Sequence, residues 1–368
     1  MKAIITTFNS LKINLSPTHK MKTVLIYSSM LCMILAISCT SQPQVKEQPV
    51  AKPDASQFMG QWTLDIAGGW VGWLEIKENE NTLKGSLLWK WGSVTPLDTI
   101  FVAPGDKLVA AWGNNVMYSF GTDGIPAKHH VSSQWIEVVR NGEKIGGKMI
   151  EPHQNGKAID STAFSGVKLP EVPAAPDLGK VKFGKPVTLF NGKDLTGWKL
   201  VDDKLKNGFS VVKGVLFNNP EQKEGQPHIE YGNLRTVQEF EDFNLKVDVN
   251  VPEGSNSGIY LRGMYEIQVL DSYKKPLDSH NMGALYSRIT PSVNAEKPAG
   301  QWQTVDITLC QRHVTVILNG VKIIDNQPVY GPTGGAIKSD VFAPGPIFLQ
   351  GDHGKVSYRN ILLTPIVK

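Results

Sequence analysis

The stretch from Ser257 to Asp271 carries the densest set of side chains able to do chemistry. In Ile259-Tyr260-Leu261-Arg262, strand alternation sets Ile259 and Leu261 on one face and Tyr260 and Arg262 on the other. Glu266-Ile267-Gln268-Val269 divides the same way. A three-residue hairpin loop at Gly263-Met264-Tyr265 would pair Arg262 with Glu266 and Tyr260 with Gln268, leaving all four aliphatic side chains on the core face; a two-residue loop would break that division. Such a face offers donors and a carboxyl group, which suits proton transfer and recognition of hydroxyl-rich ligands, although a cross-strand ion pair on a solvated sheet would have the same signature.

Asp271, His280 and Tyr286 follow closely, and Gln350-Gly351-Asp352-His353 comes near the end. In the run before Gly351, alternation puts Ile347 and Leu349 inward and Phe348 and Gln350 outward. A carboxylate beside a histidine in a glycine-bracketed loop suits proton transfer. Asp271, Asp352 and His353 can share a divalent ion only if the fold gathers them, so metal involvement stays open. His129-His130 is read as loop, and Cys310 as core filling. The sequence has no G-x-S-x-G, H-E-x-x-H, P-loop or strand-linked G-x-G-x-x-G.

These residues need strands to position them. From Met21, MKTVLIYSSMLCMILAISC has a Lys, a short apolar run and a small residue before Cys39, the order of a secretory signal. Residues 1–38 are therefore read as a signal peptide, with Met21 as an alternative start. Ala36-Ile37-Ser38-Cys39 resembles a bacterial lipobox, which implies lipid on Cys39 and a tether over 39–57. The expected location is the cell envelope, at the periplasmic or outer-membrane surface, with membrane contact through the lipid only. The formal net charge is +4 over 368 residues, and Lys2, Lys12, Lys20 and Lys22 are the only charged side chains before Cys39. Without them the protein is neutral, which argues against a nucleic-acid partner; no protein partner is named by the sequence.

Short alternating runs broken by Gly and Asn over 58–167 predict a small antiparallel β domain, a sandwich or a lipocalin-like barrel. It is rich in tryptophan: Trp62, Trp70, Trp73, Trp89, Trp91 and Trp112. Most are expected in the core, with sugar stacking the alternative for some. Pro170, Pro173 and Pro176 mark a linker over 168–182. Strand signals without an amphipathic helix then predict a two-sheet jelly roll over 183–368. The fold class is all-β.

LFNGKDLTGWK at 189–199, then in order NSGIYLRG, YEIQVLD, GALY, PGPIFLQGDHG and YRNI, resembles the 3-keto-disaccharide hydrolase family over about residues 183–366. The resemblance implies a concanavalin-like jelly roll acting on glycosides oxidised to a ketone at the third carbon. A ketone there acidifies the hydrogen on carbon 2 and prepares loss of the oxygen on carbon 1, by elimination or hydrolysis. Such a site needs a base, a donor for the enolate and an acid for the leaving group. On chemical grounds His353 is the expected base helped by Asp352, Arg262 and Gln350 the donors, and Glu266 the acid or a second base. Tyr260, Gln268, Asp271, His280 and Tyr286 would complete sugar binding, with Trp302 as a stacking platform. Asn256 and Gly258 are read as turn residues. The competing readings are a noncatalytic glycan-binding lipoprotein and a conventional glycosidase using Glu266 and Asp271.

Overall fold

The computed structural model describes residues 54–120, 126–153 and 158–367. The signal segment with Met21, the lipidation candidate Cys39 and most of the tether lie outside the described residues.

Nine antiparallel strands form the first β unit, in the spatial order Thr95–Pro96, Thr82–Trp89, Trp70–Asn79, Gly60–Ile66, Ile159–Leu169, Lys144–Pro152, Pro126–Asn141, Lys107–Phe120 and Thr99–Ala103. The first and last of these are consecutive in the chain. Only Leu97 and Asp98 separate them, and Leu97 N–H bonds to Gly85 O while Asp98 N–H bonds to Ala111 O. One extended stretch thus joins both edges and closes the sheet into a barrel, which removes the exposed ladder that an open edge would leave. Glu80 and Asn81 both have positive φ, 49° and 63°, as a two-residue hairpin turn matched to strand twist demands. Trp62, Leu64, Leu74, Leu108, Ile136 and Val138 fill the interior. The loop expected at His129 and His130 is instead part of the Pro126–Asn141 strand, whose pairing with Lys107–Phe120 aligns His129 with Tyr118 and His130 with Met117. Two polar β-neutral residues were carried into strand by that long hairpin ladder.

The second unit is a two-sheet antiparallel sandwich. Its larger sheet runs Phe209–Val212, Val215–Asn218, Val356–Val367, Phe243–Asn250, Trp302–Cys310, His313–Leu318 and Val321–Pro328, and two short strands, Lys182–Phe183 and Val187–Thr188, also pair with Val356–Val367. The smaller sheet runs Trp198–Leu200, Leu234–Thr236, Phe348–Leu349, Asn256–Leu261 and Tyr265–Leu270. Leu245, Val247 and Val249 of one sheet meet Ile259, Ile267 and Val269 of the other in a single core, each burial worth about 1.5–3 kcal/mol. Cys310, at the end of the Trp302–Cys310 strand, is a buried free thiol, and burial pushes its pKa up to about 11.

The two units share packed surface. Trp73 and Leu88 of the barrel belong to the same apolar cluster as the sandwich core. The Arg288 guanidinium lies 4.4 Å from the Trp73 ring centre. The proline-rich stretch is tied to the sandwich: Arg312 Nη1 donates to Pro170 O at 3.0 Å, and Asn326 Nδ2 to Pro176 O at 2.8 Å.

Candidate active site

The hairpin of the smaller sheet pairs Leu261 with Tyr265, Tyr260 with Glu266, Ile259 with Ile267 and Gly258 with Gln268. Its three-residue loop is therefore Arg262-Gly263-Met264, one residue earlier than the sequence predicts, so the expected pairs of Arg262 with Glu266 and Tyr260 with Gln268 do not form. The expected separation of faces survives, because moving a loop of unchanged length by one residue preserves the parity of every pair. Asn256 and Gly258, read as turn residues, lie in the strand Asn256–Leu261. Gly258 has a specific task there. A Cβ at this position would come within 2.3 Å of Glu266 Oε1, so glycine alone lets the carboxyl lie over the neighbouring strand.

Glu266 is 3% exposed. Burial pushes its pKa up to about 8, against the opposing effect of the Tyr260 hydrogen bond. The local proton count points the same way. Tyr260 OH lies 2.8 Å from Glu266 Oε2 and 2.7 Å from Gly334 O. A phenol has one hydrogen and a carbonyl can only accept, so both contacts are satisfied when Glu266 is protonated and donates to Tyr260, which in turn donates to Gly334. Tyr260 itself is pushed far above its usual range by burial and by the neighbouring Glu266. Its ring stacks on Phe348 at 3.8 Å between centroids.

Around Gly258 the amide oxygens of Asn256, Gln268 and Gln350 are buried without a hydrogen-bond partner. Gln350 N–H donates to Gly258 O, which fixes Gln350 beside that glycine. Orphaned buried acceptors cost about 1–3 kcal/mol each, and a hydroxyl-rich ligand would relieve them. His280 and Tyr286 join this end of the sandwich: their rings meet edge-to-face at 4.9 Å, and Tyr286 N–H donates to Glu266 O. Asp278 hydrogen-bonds His280 Nδ1, and that bond holds the Asp278 carboxyl below its ordinary range. His280 Nε2 is 2.8 Å from Ser93 Oγ of the barrel.

The loop 351–354 is latched by buried Asn218, whose Nδ2 donates to Gly351 O at 2.9 Å and Gly354 O at 3.1 Å. Gly354 packs on Ser255 and Asn256, which sets the backbone of this loop at the Asn256 end of the strand. Desolvation pulls the His353 imidazole below its usual range, and the Asp352 carboxylate opposes this only in part. Asp352 Oδ1 accepts Tyr231 N–H at 3.1 Å, and its Oδ2 lies 3.3 Å from His228 Nε2.

Three expected site residues stand elsewhere. Arg262 occupies the hairpin loop at φ 55° and is 3% exposed. Its Nη2 donates to Val341 O and Ala343 O, so it ties that loop to a distant segment, while its Nε is buried without a partner. Trp302 belongs to the larger sheet, and its ring face is covered by the Arg359 guanidinium at 4.0 Å. Asp271 closes a turn: Oδ2 accepts Gly254 N–H at 2.9 Å, and its carbonyl accepts from Lys275. That leaves Glu266 without Asp271 as a carboxylate partner. Among the described residues no three His, Cys, Asp or Glu side chains gather as a metal site, Asp271, Asp352 and His353 included. Asn218, Asp278, Ser93 and Gly334 escape sequence reasoning altogether. Only the Asp-x-His spacing of Asp278 and His280 left a local signal.

Residues 185–364 match the family model of the 3-keto-alpha-glucoside-1,2-lyase-like domain. A 3-keto-disaccharide hydrolase of Bacteroides thetaiotaomicron is 28% identical over 149 residues, which cover 33% of this chain and 51% of that protein. The chain thus spans about half the length of that relative. Among solved structures, a candidate glycosyl hydrolase from Parabacteroides distasonis shares 30% identity, with 53% of this chain and 93% of that one covered at a TM-score of 0.40. Another from the same organism shares 24%, covering 49% and 98% at a TM-score of 0.37. Over residues 185–364 the chain belongs to the 3-keto-alpha-glucoside-1,2-lyase-like domain family.

Proposed function

We propose that the protein cleaves 3-keto-glycosides by removing the proton on carbon 2 and expelling the oxygen on carbon 1. The observation that carries this reading is a buried acid beside unpartnered amides: Glu266, 3% exposed, is hydrogen-bonded to Tyr260, and the amide oxygens of Asn256, Gln268 and Gln350 lie unpaired around Gly258. Burial pushes Glu266 up to about 8, which favours a held proton near neutral pH, and desolvation pulls His353 below its usual range, which favours the free base. An acid kept protonated and a base kept free are what such an elimination requires at one pH.

In the first step His353 takes the carbon-2 hydrogen, and the electrons of that C–H bond move into the carbonyl as an enolate. The Gln350 amide, at the side of Gly258, is the donor available to the enolate oxygen. In the second step the enolate collapses, carbon 1 and carbon 2 become doubly bonded, and the C1–O bond breaks. Glu266 gives its proton to the departing alcohol, and Tyr260 loses the hydrogen bond it accepted. Water can then add across the new double bond, which makes the overall change a hydrolysis. Asp352, held by Tyr231 N–H, stabilises the imidazolium formed in the first step. Gln268, His280 and Tyr286 bind sugar hydroxyls at the same end. We also read 1–38 as an export signal and Cys39 as a lipid anchor, which places the reaction in the cell envelope.

The test pairs native and 3-keto disaccharides and follows products by mass. The 3-keto substrate alone should be cleaved, and His353→Ala should lower its turnover at least about 100-fold. Equal cleavage of the native disaccharide, or near-normal turnover by folded His353→Ala, would overturn the proposal.

A further inference from the structure

We propose that the amino-terminal barrel supplies the leaving-group half of the sugar site, with Trp70 and Trp91 forming a platform for the pyranose ring of the departing residue. This rests on the reading of Glu266 as the acid of a sugar site and adds to it a second binding position and a role for the barrel.

Trp91 is 59% exposed and Trp70 38%, although Trp62 and Trp73 of the same unit are buried. Their rings lie 4.2 Å apart between centroids at 68°, a corner open to solvent. Two indoles left in water forgo the burial that usually holds such side chains inside, and their flat faces suit the C–H face of a pyranose. Ser93, two residues beyond Trp91 and bonded to His280, adds a polar edge beside them. That mixture of aromatic face and hydroxyl-binding edge fits a carbohydrate better than an apolar peptide.

Position decides the assignment. Gly334 presses against the loop that carries Trp91, so closely that a Cβ on it would fall 2.2 Å from Gly92 O and 3.0 Å from the Trp91 carbonyl carbon. The same residue's carbonyl accepts from Tyr260, the partner of Glu266. The platform loop is therefore one residue removed from the acid's hydrogen-bond chain. Gly335 N–H to Lys90 O at 3.0 Å, and Val94 N–H to Ser287 Oγ at 2.8 Å, fix the loop on both sides of Trp91. A sugar whose glycosidic oxygen receives the Glu266 proton would extend its leaving half along this Gly334 contact toward Trp91 of the barrel.

The experiment compares wild type, Trp91→Ala and Trp91→Phe, with thermal midpoints to confirm folding. Each is titrated calorimetrically with unoxidised disaccharide, and each is assayed on a 3-keto disaccharide and on methyl 3-keto-glucoside, whose leaving group is too small to reach the platform. Trp91→Ala should raise the KM for the disaccharide about tenfold, equivalent to about 1.4 kcal/mol. It should leave the methyl glycoside within about twofold, and Trp91→Phe should recover part of the loss. Disaccharide binding that depends on Trp91 in a protein that cleaves neither 3-keto substrate upholds the platform and rejects the acid role of Glu266. Unchanged disaccharide KM and binding in Trp91→Ala, with cleavage intact, rejects the platform and keeps the acid role. Equal losses on both substrates, or no binding and no cleavage by wild type, also overturn it.

Discussion

Glu266→Gln isolates the proton that the candidate site is built to hold. The side chain keeps its shape, and its amide can donate to Tyr260 as the protonated acid does, but it cannot ionise. The folded protein holds this proton up to about pH 8, whereas an unfolded glutamate releases it near its ordinary pKa of 4.5. Between those limits the folded state binds one proton more than the unfolded state, so unfolding releases it and stability falls as pH rises. The slope is at most about 1.4 kcal/mol per pH unit, and the total over the window is about 5 kcal/mol. The contribution is fully present below pH 4.5 and lost above pH 8. Urea denaturation of both proteins at pH 5, 6, 7 and 8 should give a wild type that loses ground steadily, ending less stable than Glu266→Gln by several kcal/mol. Taking the difference cancels every other titrating group. Turnover of a 3-keto disaccharide should fall at least about 100-fold in the variant, since its amide has no proton to transfer. Curves that run parallel within about 0.5 kcal/mol across that range would refute the assignment of the proton to Glu266, because a side chain ionised throughout contributes no such slope.

Arg262→Ala should destabilise the protein by about 2–4 kcal/mol in chemical denaturation, because it leaves the buried Val341 carbonyl and the half-buried Ala343 carbonyl without their donor. A variant of unchanged stability that has lost turnover would instead return Arg262 to the chemistry. Cys39→Ala should move the protein from the membrane to the soluble fraction of cells that express it, and an unchanged distribution would remove the lipid anchor.

Strand periodicity made the faces of the smaller sheet legible, and it did so despite an error in register. Both the expected and the observed hairpin have three-residue loops, so Ile259, Leu261, Ile267 and Val269 keep a common face in either. Parity cannot choose between them. The choice falls to Arg262, whose side chain reaches carbonyls some 80 residues on, and to Gly258, whose missing side chain admits Glu266. Neither fact has a local signature. Trp302 fails for a related reason: alternation gives a face but not the sheet, and it cannot show that Arg359 covers the ring. Likewise Ser93 and His280 are 187 residues apart in the chain, and nothing near either predicts their contact.

The raised pKa of Glu266 and the docking of the barrel have a common structural origin in the segment 331–335. Three glycines there meet three different neighbours. A side chain at Gly331 would strike Trp73 of the barrel at 2.4 Å, one at Gly334 would strike Gly92 O at 2.2 Å, and one at Gly335 would strike Tyr260 OH at 2.7 Å. Between them, Thr333 Oγ1 accepts Glu266 N–H at 2.9 Å. The segment is thus pressed between the barrel and the Tyr260–Glu266 pair, and it helps to exclude the water that would otherwise let Glu266 ionise at its ordinary pKa. Because packed interiors transmit small displacements, a shift of the barrel surface at Trp73 or Gly92 would move Gly334 and with it the acceptor of the Tyr260 proton. The barrel therefore bears on the acid's protonation as well as on the surface beside it, which explains why a domain outside the family match is held so closely against the one inside it.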